Sequence, residues 1–143
     1  MGVLRLAQVP APSVRPDFTV MDAVRVMARD KVGAVTVVEE GELKGIFTER
    51  DLMLRVVNEV RDPAVTLIRD VMTAEVMTVT ETSSPEEATR VMLAGHLRHL
   101  PVLRDGKVLG LLSIRALLEN ELQDLSREVS ALEQYMANDG PGG

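Results

Sequence analysis

Polar residues that could do chemistry gather where an apolar strand meets the first turn of a helix, in the segment Gly45–Leu52 with the sequence GIFTERDL. The segment returns 65 residues later as Gly110–Leu117, with the sequence GLLSIRAL. A hydroxyl and an arginine are retained in the second copy, but Asp51 is replaced by Ala116. A repeated segment that has lost its carboxylate predicts two similar clefts that do not do the same work.

The same residues also have a purely structural interpretation. Thr48 and Asp51 have the spacing of a capping box, in which each side chain accepts a hydrogen bond from the backbone N–H of the other residue. Arg50 and its counterpart Arg115 are equally consistent with surface charges on a helix. A capping role and a binding role are compatible, so the residues alone leave both open.

Catalytic and metal-binding arrangements are not indicated. The chain has no cysteine, which excludes thiol nucleophiles, thiolate metal sites and disulfides. His96 and His99 lie three residues apart, but no carboxylate or third histidine stands near them at ligand spacing. There is no Ser-His-Asp pattern and no pair of carboxylates with an evident substrate pocket. We therefore expect neither an enzyme nor a metal site.

The composition is that of an ordinary globular domain, with 45% hydrophobic and 27% charged residues among 143. A net charge of −6 argues against nucleic-acid binding, which depends on a basic surface that neutralises phosphates. No apolar run approaches the roughly 18–20 residues of a membrane-spanning helix. The N-terminus lacks the pattern of a signal peptide. A cytoplasmic location without membrane contact is the default expectation.

An internal repeat organises the chain. Residues 14–52 align without a gap with residues 79–117, and ten of these 39 positions are identical. Each copy predicts a short strand, a capped helix, two strands joined by a turn at a glycine, and a second helix. One such unit is too small to cover its sheet. The fold class is therefore α/β of the α+β type: two pseudo-symmetric β-α-β-β-α repeats, residues 1–60 and 61–120, packed sheet to sheet.

The last helix carries a narrow apolar seam whose residues are spaced alternately four and three apart, as in a helix that lies against another helix. They are Leu118, Leu122, Leu125, Val129, Leu132 and Met136. The seam packs either on its own domain or, as we predict for residues 118–138, against a second copy of the chain. A parallel pair would set Glu128 against the second copy's Glu133, which favours an antiparallel or splayed homodimer. Residues 139–143 are predicted to be a disordered tail.

The repeats resemble a tandem pair of CBS domains, the family named after cystathionine β-synthase; such a pair is often called a Bateman module. The resemblance rests on Gly45–Leu52 and its copy in ungapped register, and on His99–Leu103 (HLPVL), which opens the middle strand of the second repeat. It covers roughly residues 10–120. It implies a module that binds an adenosine-containing ligand, such as AMP, ADP, ATP or S-adenosylmethionine, in clefts between the repeats. The ligand would be regulatory and not a required cofactor.

The resemblance assigns a first cleft, in which Asp51 would receive ribose hydroxyls and the second repeat would supply the base pocket. A carboxylate suits two vicinal hydroxyls, while an arginine and a histidine suit phosphate. The helix that begins after Thr48 would add its N-terminal amides. The residues of this cleft are Thr48, Arg50, Asp51, Val76, Met77, Thr78, Arg98, His99 and Pro101.

A second cleft follows from exchanging the roles of the repeats. Its residues are Pro12, Ser13, Gly33, Ala34, Ser113 and Arg115. Here the sequence departs from the family pattern, because Ala116 stands where the ribose carboxylate belongs and the Arg98-His99 pair becomes Gly33-Ala34. We expect this cleft to bind weakly or not at all.

Two functions of different classes remain open. The first is a regulatory module that senses an adenine nucleotide or adenosyl ligand, dimerises, and acts on a client protein that the sequence does not identify. The alternative is a ligand-free dimerisation or adaptor module, which the degraded second motif and the leucine seam of the last helix favour.

Overall fold

The computed structural model describes residues 2–138, so the tail predicted at 139–143 lies outside the described residues. Six strands are present: β1 Ser13–Val14, β2 Ala34–Glu39, β3 Glu42–Thr48, β4 Val79–Thr80, β5 His99–Arg104 and β6 Lys107–Ser113. The α-helices are α1 Val20–Asp30, α2 Glu49–Asp51, α3 Ile68–Val71, α4 Pro85–Gly95 and α5 Ile114–Asn138. A 3-10 helix spans Val3–Leu6, and α2 continues as π-helical turns over Leu52–Val57.

The two repeats have the same topology, which confirms the predicted fold. In each, the first strand runs parallel to the second, and the second and third strands form an antiparallel hairpin. The halves are joined by one strand pair, Glu42 with Lys107, so that all six strands follow the order β1-β2-β3-β6-β5-β4. Away from this junction, Ala34 and Ile46 of the first half pack with Leu111 of the second in a shared cluster.

Each half has a hydrophobic core of its own beneath its helices, built mainly from aliphatic side chains and methionine. The first core is centred on Phe47, which is fully buried, and the second on its counterpart Leu112. Met27 and Met92, another pair of counterparts, occupy the two cores in the same way. The repeated pattern of apolar residues therefore corresponds to two cores with the same plan.

The first residues of each repeat pack on the core of the other half. Val3, at the start of the chain, is fully buried in the second core, and its N–H donates to Ser83 O at 2.9 Å. Ile68 in the linking segment is fully buried in the first core, and its N–H donates to Phe18 O at 2.8 Å. This exchange ties the halves together more extensively than the single strand pair does.

Two glycines allow these exchanged segments to approach the sheet. A Cβ on Gly45 would lie 2.7 Å from Thr73 O, and one on Gly110 would lie 2.9 Å from Gln8 O. The next residue in each strand pairs with the crossing segment: Ile46 N donates to Thr73 O at 2.9 Å in the first half. Both copies of the repeated segment therefore begin with glycine because a backbone crosses there.

The last helix, α5, continues well beyond the second half. Leu117 is buried in the second core, but all six seam residues are exposed, with accessible fractions from 48% at Leu125 to 69% at Met136. Within one chain, the described structure thus places no partner over the seam.

Candidate functional site

The Thr48–Asp51 segment forms the predicted capping box at the end of β3. Thr48 N donates to Asp51 Oδ2 at 3.0 Å, and Asp51 N donates to Thr48 Oγ1 at 3.2 Å. The Thr48 hydroxyl also lies 3.1 Å from Asp51 Oδ2. The same motif at the start of α1 joins Thr19 and Asp22.

Asp51 differs from an ordinary capping residue because it is buried, with 7% of its surface accessible, and has a partner from the segment that links the two halves. Thr73 Oγ1 donates to Asp51 Oδ1 at 3.0 Å. The Arg55 guanidinium lies 3.7 Å from the same oxygen and also donates to Met72 O at 2.7 Å. Both carboxylate oxygens are thus engaged by side chains and backbone of the chain itself.

The equivalent position in the second half is open. Ser113 accepts a hydrogen bond from Ala116 N at 3.2 Å, which is one half of a capping box, and no carboxylate is present to complete it. The counterpart of Thr73 is Gln8, which pairs with Leu111 through the backbone. A carboxylate, a threonine and their hydrogen bond are therefore replaced by a methyl group and a glutamine.

A cavity of about 390 Å³ occupies this side of the junction between the halves. Its volume lies within the usual range for small-molecule sites. It is lined by Leu6, Ala7, Gln8, Lys31, Val32, Gly33, His99, Leu111, Ser113, Arg115 and Ala116. Two of the small residues in this lining, Gly33 and Ala116, stand where the other repeat has the larger polar residues Arg98 and Asp51. Small residues at both positions explain why the space is open on this side.

The strand ends position the residues around the cavity. His99 begins β5 and lies opposite Ser113, the last residue of β6. The counterparts Ala34 and Thr48 face each other in the same register at the ends of β2 and β3. Ser113 then caps α5, whose first turn carries Arg115. The strand-to-helix junction thus brings a hydroxyl, an imidazole and a guanidinium to one cavity.

His99 lies between the halves. A Cβ on Gly33 would be 3.3 Å from His99 Cε1 and 2.7 Å from Glu49 Oε1, so a larger residue at position 33 would require the Glu49 side chain to move and would crowd His99. Burial lowers the pKa of His99, the nearby Glu49 carboxylate opposes this shift, and the Arg98 guanidinium adds to it. Burial has the largest effect, which favours the neutral imidazole.

The predicted residues are distributed over several places. The structure brings Gly33, Ser113 and Arg115 of the second cleft to one cavity, together with His99, which was assigned to the first. Thr48 and Asp51 are together, hydrogen-bonded to each other, and Asp51 also accepts a hydrogen bond from Thr73. The remaining second-cleft residues are Pro12, Ser13 and Ala34.

Pro12 and Ser13 are committed to a buried threonine. Thr36, which is fully buried, donates to Pro12 O through both its N–H and its hydroxyl, at 2.8 and 3.0 Å. The Ser13 hydroxyl lies 2.7 Å from the Thr36 hydroxyl. Ala34 is buried in the cluster between the halves. These three residues support the strand rather than lining the cavity.

The other first-cleft residues do not converge on Asp51 through any described contact. Val76 packs against the cluster between the halves, and Met77 precedes β4, with its sulfur near the end of α4, 3.1 Å from a Cβ placed on Gly95. Thr78 is half-buried just before β4, and Pro101 is buried in β5. Arg50 and Arg98 are both exposed.

Sequence reasoning missed Thr73, Gln8 and Lys31. The repeat contained a signal for the first two, because extending the ungapped alignment upstream places Gln8 opposite Thr73. Lys31 carried no such signal. It ends α1 in a left-handed conformation, with φ of 56°, and this turn directs the chain into the cavity wall at Gly33.

A second cavity, of about 460 Å³, lies on the outer side of the first half and contains none of the predicted site residues. It is lined by Leu54, Arg55, Glu59, Arg61, Asp70 and Val71. Two arginines are balanced by two acids, so its charge indicates no ligand class.

Within residues 2–138, no group of three or more histidine or acidic side chains is placed to hold a metal ion. None of the helices in that part of the chain combines the length and apolar character needed to cross a bilayer.

The fold and the cavity define a pseudo-symmetric pair of β-α-β-β-α repeats with space for a small molecule at their junction. Residues 5–58 and 68–122 each match the CBS domain family. The chain belongs to this family, as its resemblance predicted.

Relatives occur in plants and bacteria. The mitochondrial CBS domain-containing protein CBSX3 of Arabidopsis thaliana is 34% identical over 125 residues, which are 84% of this chain and 61% of CBSX3. The CBS domain-containing protein YhcV of Bacillus subtilis is 32% identical over 114 residues, which are 80% of this chain and 81% of YhcV. The chain thus spans about three-fifths of the length of the first relative.

Solved structures share the fold. A protein with CBS domains from Burkholderia ambifaria superposes with a TM-score of 0.80 at 34% identity, over 87% of this chain and 96% of that protein. CBSX2, solved in complex with AMP, superposes with a TM-score of 0.73 at 26% identity, over 85% of this chain and 96% of CBSX2.

Proposed function

We propose that the chain is a regulatory module that binds an adenine nucleotide or adenosyl ligand between its two repeats and controls a client protein. The observation that carries this proposal is the cavity of about 390 Å³ at the junction of the halves, where Ser113 and Arg115 meet Gly33. The AMP complex of CBSX2, which has the same fold, supports the choice of ligand.

A regulatory role follows from where the cavity lies. Its walls come from both repeats and include the N-terminal segment at Gln8, so a ligand there contacts both halves and one of the two exchanged segments that hold them together. A ligand can shift a conformational equilibrium only through contacts that differ between two states. Contacts that span the junction meet this requirement, because any movement of one half against the other changes them.

Thermal unfolding tests the proposal. A ligand that binds only the folded chain, at 100 times its Kd, adds about 2.7 kcal/mol to the free energy of unfolding. We expect a rise in Tm with one or more of AMP, ADP, ATP and S-adenosylmethionine. Inosine monophosphate is the matched control for the adenine base. The absence of a shift with every adenine compound at millimolar concentration would refute the proposal.

The exposed seam of α5 favours a second function, assembly of the module with another copy of itself. Six apolar residues lie on one stripe, and each has about half or more of its surface accessible. We propose that α5 mediates a homodimer. Glu121 and Glu128 on one flank and Glu119 and Glu133 on the other are all acidic, so self-association should strengthen as salt screens their repulsion.

Light scattering at low and high salt tests the dimer. Leu125→Gln together with Leu132→Gln should shift the mass to that of a monomer, while Arg127→Gln, a change away from the seam on the same helix, should leave it unchanged. A dimer that persists in the double variant would show that another surface holds the copies together.

A further inference from the structure

The cavity has a charge opposite to that of the chain. The sequence has 22 acidic and 16 basic residues, but the cavity is lined by two cations, Lys31 and Arg115, by the imidazole of His99 and by no acidic side chain. Its remaining polar side chains are those of Gln8 and Ser113, which are neutral. One carboxylate lies next to the lining: Glu49 Oε1 would be 2.7 Å from a Cβ placed on Gly33, and its charge acts on His99. The lining side chains themselves nonetheless carry a net positive charge, which favours an anionic ligand.

Arg115 is available to a ligand. Its described partner is Glu119, one turn along α5, with Nε 3.1 Å from Oε1. Both side chains are largely exposed, at 87% and 60%, and an ion pair in such a setting contributes little because water screens it. Turning the guanidinium toward an anionic ligand would therefore cost little, and two charged hydrogen bonds to phosphate oxygens would replace one exposed pair.

The Ser113 hydroxyl complements this charge. Its oxygen already accepts from Ala116 N at 3.2 Å, which leaves its hydrogen free to donate to a phosphate oxygen. It also caps the first turn of a 25-residue helix, whose free N–H groups favour negative charge at that end. This end of the cavity thus offers positive charge or hydrogen-bond donors from four groups: the Ser113 hydroxyl, the N-terminus of α5, Lys31 and Arg115. None of them is a strong hydrogen-bond acceptor.

The cavity offers no carboxylate to sugar hydroxyls. The position that holds Asp51 in the first repeat is Ala116 in the second, and the one carbonyl among the lining side chains belongs to the neutral Gln8. A site discriminates strongly against a missing hydroxyl only when that loss leaves a buried polar group without a partner. A methyl group at position 116 has no hydrogen bond to lose.

We propose that this cavity binds a phosphorylated nucleoside by its phosphate and does not distinguish the ribonucleotide from its 2′-deoxy form. The proposal rests on the proposed function and adds which group of the ligand the cavity recognises, the phosphate, and which it does not, the 2′-hydroxyl. The same positive lining disfavours a sulfonium ligand, so S-adenosylmethionine binds more weakly than AMP. Binding weakens with salt, since Lys31 and Arg115 are exposed to solvent.

Calorimetric titration of the full chain tests this, with AMP, 2′-deoxy-AMP, adenosine, S-adenosylmethionine and inorganic phosphate as probes. We expect Kd values for AMP and 2′-deoxy-AMP within about threefold of each other, and weaker binding of adenosine. Arg115→Gln and Lys31→Met should each weaken AMP binding by roughly tenfold, as the loss of one charged contact does. The matched control is Lys44→Met, which removes a cation that lies outside the cavity and pairs with Glu42. This variant should bind AMP with unchanged affinity.

A gain-of-function variant strengthens the test, because an increase in selectivity cannot result from unfolding of the variant. Ala116→Asp restores the carboxylate that the first repeat has, and it should make AMP bind at least tenfold more tightly than 2′-deoxy-AMP. Circular dichroism checks that every variant is folded.

The possible negative results distinguish a failure of this inference from a failure of the proposed function. If no adenine compound binds, the proposed function itself fails. If AMP binds but 2′-deoxy-AMP is at least tenfold weaker in the unmodified chain, the inference fails while the function stands. The same holds if Asp51→Asn abolishes binding and Arg115→Gln and Lys31→Met do not. Equal affinity for inorganic phosphate and AMP would overturn the assignment to a nucleoside.

Discussion

Replacing Asp51 by alanine should destabilise the fold considerably, whatever it does to ligand binding. The Asp51 carboxylate is buried and accepts hydrogen bonds from Thr48 N, from the Thr48 hydroxyl and from the Thr73 hydroxyl, at 3.0, 3.1 and 3.0 Å. Alanine removes all three acceptor contacts and leaves the donors on Thr48 and Thr73 without their partner.

The magnitude follows from these contacts. Loss of the capping interaction costs about 1 kcal/mol, and leaving the part-buried Thr73 hydroxyl without its charged acceptor costs about 1–3 kcal/mol more. The Arg55 pair adds little, since its nitrogen is 3.7 Å away and the side chain is half exposed. We expect a loss of about 2–4 kcal/mol in the free energy of unfolding, or roughly 6–12 °C in Tm for a chain of this size.

Urea unfolding at fixed protein concentration measures the loss, and a double-mutant cycle with Thr73→Val assigns it. The coupling between the two positions should be about 1 kcal/mol or more. Asp22→Ala is the matched control, because Asp22 forms the same capping box with Thr19 but has no described partner equivalent to Thr73. It should cost clearly less than Asp51→Ala.

Equal losses for Asp22→Ala and Asp51→Ala, or additive effects of Asp51→Ala and Thr73→Val, would refute this reasoning. The carboxylate would then be no more than a helix cap, and the contact with the exchanged segment at Thr73 would not contribute to stability.

Three further predictions concern the two halves and their surface. Burial lowers the pKa of His99 from 6.5, so the unfolded chain binds more protons than the folded chain at acid pH. The free energy of unfolding should therefore rise with pH up to about 7. His99→Gln should flatten this rise in urea titrations between about pH 5 and 8. An unchanged slope in the variant would contradict it. Gly45→Ala places a Cβ 2.7 Å from the carbonyl of Thr73 and should cost roughly 1–3 kcal/mol of stability by the same urea assay, whereas a neutral result would mean that the crossing segment can move away. Arg104→Gln breaks the pair with Glu81, but the pair lies on the surface, so the unfolding midpoint should stay unchanged within error and a clear loss would show that the bidentate geometry matters.

Most of the fold could be predicted because the information was local and repeated. Apolar spacing and capping residues define each β-α-β-β-α unit, and the second copy checks the first. The exchanged segments could not be predicted in this way. Nothing in the residues around Val3 or Ile68 indicates which core they enter, since an apolar residue fits either one. The glycines at 45 and 110 are the residues that allow the crossing, but their positions in the repeat do not indicate which segment crosses them.

The site was predictable to a smaller extent. The repeat correctly singled out the difference between Asp51 and Ala116, but its structural consequence depends on residues far away in the sequence. The cavity exists where Gly33 and Ala116, 83 positions apart, are both small. No pattern within either segment indicates that two such distant residues line the same cavity. The prediction that the second cleft binds weakly rested on missing ligand contacts and did not consider the space that their absence opens.

The two clefts therefore differ in what a ligand must displace. At Asp51, a ribose hydroxyl would compete with the Thr73 hydroxyl, which donates to Oδ1 at 3.0 Å, and exchanging one hydrogen bond for a similar one yields little net free energy. It would also loosen the contact that fixes the linking segment to the first half. In the cavity beside Ala116, Lys31 and Arg115 are exposed to water and to one exposed glutamate, so a phosphate gains charged contacts without breaking any that stabilise the fold. The loss of one carboxylate thus separates two related positions: Asp51 is engaged in hydrogen bonds within the chain, whereas we propose that the cavity beside Ala116 accepts an anion.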